Sequence, residues 1–524
     1  MRPRVAVTFA PSGAVAWVEA GTTVLQAARA AGVLVPAACG SRGVCGSCGI
    51  RLIEGELAPA GEAERDALAR APVGVRLACR AVVEGPVVVQ PLLTAHLPEA
   101  SRLPAASVEA AGGDRLVAAV DLGTTTVAAG VVTASGGRQI GASIVANSQQ
   151  AWGADVLSRV AAAVGGDHEQ LRNAAVDSVR RSLEHAGLAS FDRLERVVIA
   201  GNTAMSALFS DVSVVSLASH PFEPPKYPTS RDASEVAPSL AGAELVVLPP
   251  IAGFVGGDAL AGLIHTGMLW ASSAELLVDF GTNAEIALAH EGRLWVASAA
   301  AGPAFEGVGI ECGMSAGSGA VVAVGLSDSG ELELETIGGG EPLGIAGTGA
   351  VSLVALLLRL GHLTPEGLMV AEGPLAERFA RGEDGVMRFR LSGNEDVSEL
   401  ALSQRDVRTL QLAKAAVRAG VEQVLRAAGV AASALRSVHV AGAFGSALAP
   451  QDLLELGVLP KSVGGRVAPV GNASLGGALA VALEPGLLAE ASDRARGSVH
   501  VDLAASADFN RALIGALALE PFDA

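Results

Sequence analysis

Alternating apolar and polar positions in VAVTFAP and AVAWVEA predict a hairpin near the start of the chain. TTVLQAARAAG then reads as a short helix, and CGIRLIEGEL and VVVQP as later strands. From 91 to 114 the periodicity fades into Pro, Ala, Ser and Gly, as in a linker. Beyond it, apolar strands alternate with helical segments. LVAAVDLGTTTVAAGVV sets two apolar strands on either side of a D-x-G-T turn, and ELLVDFGTNAEIALAH repeats the device. RVVIAGNTAM and SVHVAGAFGSA each end a strand in glycine, with Gly201 lying 80 positions after Asp121 and Gly442 163 positions after Asp279. The echo predicts two copies of one α/β fold, the second carrying a large insertion. Between hairpin and terminal strand lie helices such as ADVLSRVAAAV and DVRTLQLAKAAVRAGVEQVLRAAG. In the latter Val417, Val421, Val424 and Leu425 share one face, and Lys414 is expected on a solvated one. GTGAVSLVALLL is too short to span a bilayer and reads as a buried helix.

Length and composition narrow the class. A chain of 524 residues accommodates roughly three or four domains. Half the residues are hydrophobic but only 3% are aromatic, so its cores must be aliphatic and closely packed. A net charge of −17 without a Lys/Arg cluster argues against nucleic acid as a ligand. The opening MRPRVAVTFAPSG lacks an apolar run of secretory length, so no membrane association and a cytoplasmic location are expected.

Three of the five cysteines stand together. Cys39 is followed after five residues by Cys45, after two more by Cys48 and after thirty by Cys79. That spacing is close to the plant-type iron-sulfur pattern. Gly40, Gly43, Gly46 and Gly49 give the intervening loop the freedom to wrap a cluster and aim amides at its sulfurs. A structural zinc site and packed core thiols are the alternatives. Zinc commonly takes paired short knuckles, whereas Cys79 stands alone in RLACR. Cys312 reads as a packed thiol, and the nine histidines are scattered singly.

The paired hairpins suggest phosphate chemistry. A turn glycine admits a phosphate to the backbone, threonine hydroxyls and amides donate to its oxygens, and a neighbouring Asp can hold Mg²⁺ through water. A lone D-x-G-T is often only a tight hairpin. Two in register raise the nucleotide reading above that.

Residues 1 to about 90 resemble a 2Fe-2S ferredoxin domain. The hairpins resemble those of the acetate and sugar kinase, heat-shock chaperone and actin superfamily. DLGTTT, NSQQAWGADVLSRV, VVIAGNTAM, PPIAGFVGGDAL, VDFGTNAEIAL, AGPAFEGVGIECGMSAGSGA, SQRDVRTLQLAKAAVRAG, VAGAFGSAL and VGNASLGGALA, in this order behind such a head, resemble the ATP-dependent reductive activators of corrinoid proteins. The resemblance departs near Ser315, where a bulkier basic or polar residue would be expected. It implies a multidomain α/β architecture: a β-grasp 2Fe-2S ferredoxin domain over 1–90, a linker over 91–114, a first RNase H-like half of the actin and sugar-kinase type over 115–265, a second half with its insertion over 266–490, and a tail over 491–524. It implies a 2Fe-2S cluster on Cys39, Cys45, Cys48 and Cys79. It places ATP and Mg²⁺ at Asp121, Gly123, Thr124, Thr125, Asp279, Gly281, Thr282 and Asn283, with Asp121 and Asp279 catalytic. Gly442 and Gly445 would lie at the adenosine, with Gly347 and Gly349 assisting or simply packing a helix start. The implied partners are the corrinoid protein of a methyltransferase system, a low-potential electron donor and a second copy of the chain. The implied reaction is one-electron reduction of cobalt(II) to cobalt(I) driven by ATP. A small-metabolite kinase with a redox-sensing head, and an electron carrier or scaffold, are the competing readings.

Overall fold

The computed structural model describes residues 3–523 except 11–12, 32, 34, 36–42, 44–47, 62–63, 66–73, 92–112, 189, 236–237, 315, 393–399 and 443–447. The linker expected over 91–114 therefore falls almost wholly outside the described residues.

The first hydrophobic alternation folds as expected. Strands β1 (Arg4–Phe9), β2 (Ala14–Glu19), β3 (Gly49–Glu54), β4 (Val75–Leu77) and β5 (Val87–Pro91) form a mixed sheet in the order β2-β1-β5-β3-β4. Helix α1 (Val24–Ala30) packs against it, and the architecture is a β-grasp. Thr23 and Gln26 close a capping box that fixes where α1 begins. Val7, Phe9, Val24, Leu25, Ile50 and Leu77 fill the space between helix and sheet.

Two six-stranded sheets follow. The first contains β6 (Leu116–Leu122), β7 (Thr126–Thr133), β8 (Gln139–Ala146), β9 (Leu194–Gly201), β10 (Ser230–Asp232) and β11 (Glu244–Val247), in the order β10-β11-β9-β6-β7-β8. Helices α2 (Val156–Ala162) and α3 (His168–His185) cross between β8 and β9, and α4 (Thr203–Phe209) leaves β9. After α5 (Gly257–Thr266) the plan repeats with β12 (Glu275–Phe280), β13 (Ala284–His290) and β14 (Arg293–Ala299). The predicted insertion then appears. It contains β15 (Ala320–Leu326), β16 (Leu332–Thr336) and β17 (Gly344–Ile345) as one small sheet, helix α6 (Gly347–Arg359), and β18 (Phe379–Arg381), β19 (Met387–Ser392) and β20 (Leu400–Ser403) as another. Helix α7 (Gln404–Ala428) returns the chain to β21 (Ser437–Ala441). After α8 (Pro450–Glu455) comes β22 (Val467–Gly471), then α9 (Ala473–Leu483) and α10 (Gly486–Ala495). With β23 (Val499–His500) the second large sheet reads β22-β21-β12-β13-β14-β23. In both halves an antiparallel meander is extended by a strand parallel to its first member, β9 beside β6 and β21 beside β12.

Helices α5 and α9 lie between the two sheets in a shared core with Val117, Val198, Leu277 and Val296. They approach through glycine: a Cβ on Gly477 would fall 1.9 Å from the Ala261 carbonyl oxygen.

The segment 491–524, read as a tail, is packed. β23 pairs with β14, and α11 (Ala507–Gly515) lies on α7. This overturns the expectation for Lys414, which is 3% exposed and donates to the Ala518 carbonyl. Burial draws its pKa down to about 7. Helical periodicity leaves such a position solvated until a segment a hundred residues downstream covers it.

Substituting Gly477→Ala should destabilise the protein by about 2 kcal/mol or more, because the methyl group meets backbone that cannot yield. Gly515→Ala, where the added Cβ meets nothing within 4 Å, should change stability by less than about 1 kcal/mol. Denaturant titration of both variants checks the pair.

Candidate functional site

The tips of hairpins β6/β7 and β12/β13 face each other across a cleft. Asp121, Gly123, Thr124 and Thr125 line it from one side, Asp279, Gly281, Thr282 and Asn283 from the other. Gly442, at the end of β21, closes one wall. Its φ is +101°, and a Cβ there would fall 2.3 Å from the Phe280 carbonyl oxygen, so both conformation and space require glycine. Gly445 lies outside the described residues, as does Ser315. Gly347 and Gly349 do not reach the cleft. They open α6 against the Phe305 and Val321 carbonyls, where a Cβ would come within 1.9 and 2.2 Å, so close packing accounts for them.

The first tip is held from behind. The Gly123 carbonyl accepts from Asn147 Nδ2 at 2.8 Å, and the Thr124 carbonyl from Arg159 Nη2 at 2.6 Å. The Thr125 carbonyl accepts from Gln150 Nε2 at 2.5 Å and the Asn147 amide at 3.0 Å. In a trans peptide the N–H points opposite to the C=O. Pinning three successive carbonyls on the protein side therefore turns the amides of Thr124, Thr125 and Thr126 away from it, toward the cleft that these residues line. That is an anion-binding arrangement of backbone donors. Asn202, which caps α4, steadies the Thr124 hydroxyl at 3.0 Å.

The carboxylates come from both halves. Asp121 accepts from Asn472 at 2.8 Å and Ser474 at 2.9 Å, at the N-terminus of α9. Asp258 sits in the first turn of α5, where Gly256 and Gly257 let that helix press against Asn202 and Leu248. Glu306 accepts from the Thr282 hydroxyl at 2.6 Å, and its second oxygen is buried without a hydrogen-bond partner. Burial, then repulsion from Asp258 and Asp121, pushes the Asp279 carboxyl up to about 8. Burial likewise raises Asp121, Asp258, Glu285 and Glu306, with Asp258 and Asp279 adding to the effect on Glu285. The cleft thus combines amide donors for an anion with a surplus of carboxylates that asks for a cation.

Of the four cluster cysteines, Cys39 and Cys45 lie outside the described residues. Cys48 and Cys79 converge to 3.3 Å between sulfurs, both buried. Their mutual hydrogen bond draws the Cys48 thiol down to about 7, toward the thiolate that ligates iron. Glu64, 2% exposed, anchors the approach by accepting from Arg76 and from the Leu77 amide at 2.9 Å. Gly43 adopts a φ of +78°, and a Cβ there would strike the Arg80 side chain. A buried, converging thiol pair with an acidified Cys48 fits an iron-sulfur cluster.

Three family models match successive parts of the chain. Residues 7–84 match the 2Fe-2S iron-sulfur cluster binding domain, 116–270 the RACo middle region and 273–524 the C-terminal ASKHA domain of RACo. The chain belongs to the reductive activators of corrinoid proteins. Among related members of this family, the corrinoid activation enzyme RamQ of Eubacterium limosum is 29% identical over 75% of this chain and 68% of its own. The Co(II) methylated amine-specific corrinoid protein reductase of Methanosarcina barkeri is 26% identical over 68% of each chain. A solved reductive activator for corrinoid, iron-sulfur protein covers 99% of this chain and 98% of its own at 25% identity, with a TM-score of 0.70.

Within this activator, several cleft residues escaped sequence reasoning as individuals: Asn202, Asp258, Glu285, Glu306, Asn472 and Ser474. Each stands in a segment that carries the resemblance, but no local spacing marks it. Glu285 had one local signal, since it pairs with Asp279 across the hairpin ladder.

A raised carboxyl pKa means that the folded state holds a proton the unfolded chain has already released. Stability from this group is therefore intact below pH 4 and is lost as pH rises toward 8. Asp279→Asn should be more stable than the parent at pH 8 by about 1 kcal/mol or more without nucleotide or metal. The gap should narrow as pH falls to 5. Thermal melts across that range check it, and a variant less stable at pH 8 would refute the assignment.

Proposed function

We propose that this chain reduces the cobalt(II) form of a corrinoid protein to cobalt(I), one electron at a time, at the expense of ATP bound between its two halves. The observation that carries the reading is the union, in one chain, of a converging thiol pair with two phosphate-binding hairpins facing each other. Two relatives of this chain are named for corrinoid activation and for Co(II) corrinoid protein reduction. The kinase and scaffold alternatives have no comparable support.

The residues act as follows. Amides 124–126, the Thr124 and Thr125 hydroxyls, and Gly281, Thr282 and Asn283 opposite them hold the β- and γ-phosphates. Gly442 leaves room toward the nucleoside. Among the described residues no three carboxylates converge closely enough to enclose a metal by themselves. Asp121 and Asp279 would hold Mg²⁺, a hard cation suited to oxygen ligands that would neutralise phosphate charge. Asp258 extends the acidic wall. The unpartnered oxygen of Glu306 is placed to orient and deprotonate an attacking water, with Thr282 fixing the other oxygen. Because α9 tethers Asp121 of the first half to Asn472 and Ser474 of the second, nucleotide occupancy bears on how the halves close, and only a difference in affinity between open and closed forms performs work. Cys39, Cys45, Cys48 and Cys79 would hold the 2Fe-2S cluster, which supplies single-electron transfer. A low-potential donor, a cytoplasmic setting and a homodimeric assembly complete the proposal. Among the described residues no helix is long and apolar enough to cross a membrane.

The deciding experiment is anaerobic. Holoprotein, a low-potential reductant and a cobalt(II) corrinoid protein should yield the cobalt(I) absorption spectrum only when ATP and Mg²⁺ are added. Equal reduction without nucleotide would refute the reading. Glu306→Gln should lower ATP hydrolysis by about 10²-fold while leaving nucleotide affinity within a few-fold. Cys48→Ser should abolish the electron paramagnetic resonance signal of the reduced cluster.

A further inference from the structure

The linker is not the head's sole connection to the rest of the chain. Arg29, in the last turn of α1, directs Nε and Nη2 to the Ala151 carbonyl at 3.1 and 2.6 Å. Its guanidinium lies 4.8 Å from the Trp152 ring centre, and Asp167 is 3.8 Å away. Ala151 and Trp152 end the short 3₁₀ turn Ser148–Trp152. On its other side, Gln150 and the capping residue Asn147 hold the Thr125 and Gly123 carbonyls. Gly153, next in sequence, accepts from Arg159, which holds Thr124. One turn therefore carries the iron-sulfur head on one face and the phosphate hairpin on the other.

We propose that Arg29 is a positioning residue that docks the head onto this turn, so that head docking and nucleotide binding reinforce each other. The inference rests on the nucleotide reading above. A forked guanidinium on one carbonyl, stacked on an indole, fixes the turn in position as well as in charge. A fixed turn holds three hairpin carbonyls still and leaves the opposing amides ordered before the nucleotide arrives, so less ordering remains to oppose binding. By linkage the bound nucleotide must favour the docked head by the same factor. Burial lowers the Arg29 pKa, while the charges of Asp167 and, less, Cys79 raise it.

The test uses full-length anaerobic holoprotein and the non-hydrolysable analogue adenosine 5′-(β,γ-imido)triphosphate with Mg²⁺. Arg29→Ala should weaken binding about three- to tenfold by calorimetry, with the cluster absorption spectrum and thermal melt unchanged, and Arg29→Lys should recover part of the loss. Hydrogen exchange at 148–153 and in α1 should slow on adding the analogue to the parent, and the α1 effect should vanish in Arg29→Ala. In a Gln150→Ala background, which removes the turn's side-chain bond to Thr125 and leaves the Asn147 bonds in place, Arg29→Ala should cost a clearly smaller factor in affinity than it does in the parent. A merely structural role for Arg29 would instead give the same loss in both backgrounds, and that result overturns the proposal, as does equal affinity in parent and Arg29→Ala. If the parent itself fails to bind the analogue, the nucleotide reading falls and takes the docking inference with it. Normal binding that is indifferent to Arg29 removes the docking inference alone.

Discussion

The orientation of three peptide groups governs this structure. Gly123, Thr124 and Thr125 turn their carbonyls into the protein because Asn147, Arg159 and Gln150 are there to receive them. Unmatched, those buried carbonyls would be costly, and the tip would relax toward an ordinary hairpin turn. Satisfied, they commit the amides to the cleft. The donors themselves are well anchored. Arg159 is fully buried, and burial draws its pKa down to about 9 against the fields of Asp155 and Glu306. A cation held there against desolvation is a cost to stability that makes sense if it maintains a binding geometry.

The cleft is also electrostatically unbalanced. Five carboxylates sit in it, all shifted upward by burial. No described cation faces Asp279, since the shifts on it come from burial and from other carboxylates. A cation and phosphates entering such a site relieve the repulsion among its carboxylates, so ligand binding and closure of the halves are energetically joined. The cluster site shows the complementary logic. There Cys48 and Cys79 are drawn together in a small core and Cys48 is acidified, which suits a metal that unites them.

Much of this was legible in the chain. Each D-x-G-T tip is flanked by strands whose apolar runs are local signals, so both hairpins, their pairing and the repeat of β9 by β21 could be read directly. The insertion was legible as an extra length between Asp279 and Gly442. The cysteine spacing marked the head for the same reason, since a cluster is wrapped by a short loop. Lys414 was misread because its cover comes from Ala518, and helical periodicity reports only on the helix itself. Gly347 and Gly349 read equally as nucleotide glycines or as helix-start packing, and backbone from Phe305 and Val321 beside them accounts for them as packing.

What the sequence determined alone was therefore everything encoded within a few turns or strands: the element types, the duplicated hairpins, the thiol loop and the resemblance carried by ordered motifs. Only the tertiary structure decided which distant groups meet. Asn472 and Ser474 reach Asp121 across some 350 positions, Glu306 closes on Thr282, and Arg29 finds Ala151 across the domain boundary. The physical reason is that local propensity acts through neighbours in the chain, whereas hydrogen bonds and charges act through space, and space is set by how two sheets enclose the glycine-lined helices between them.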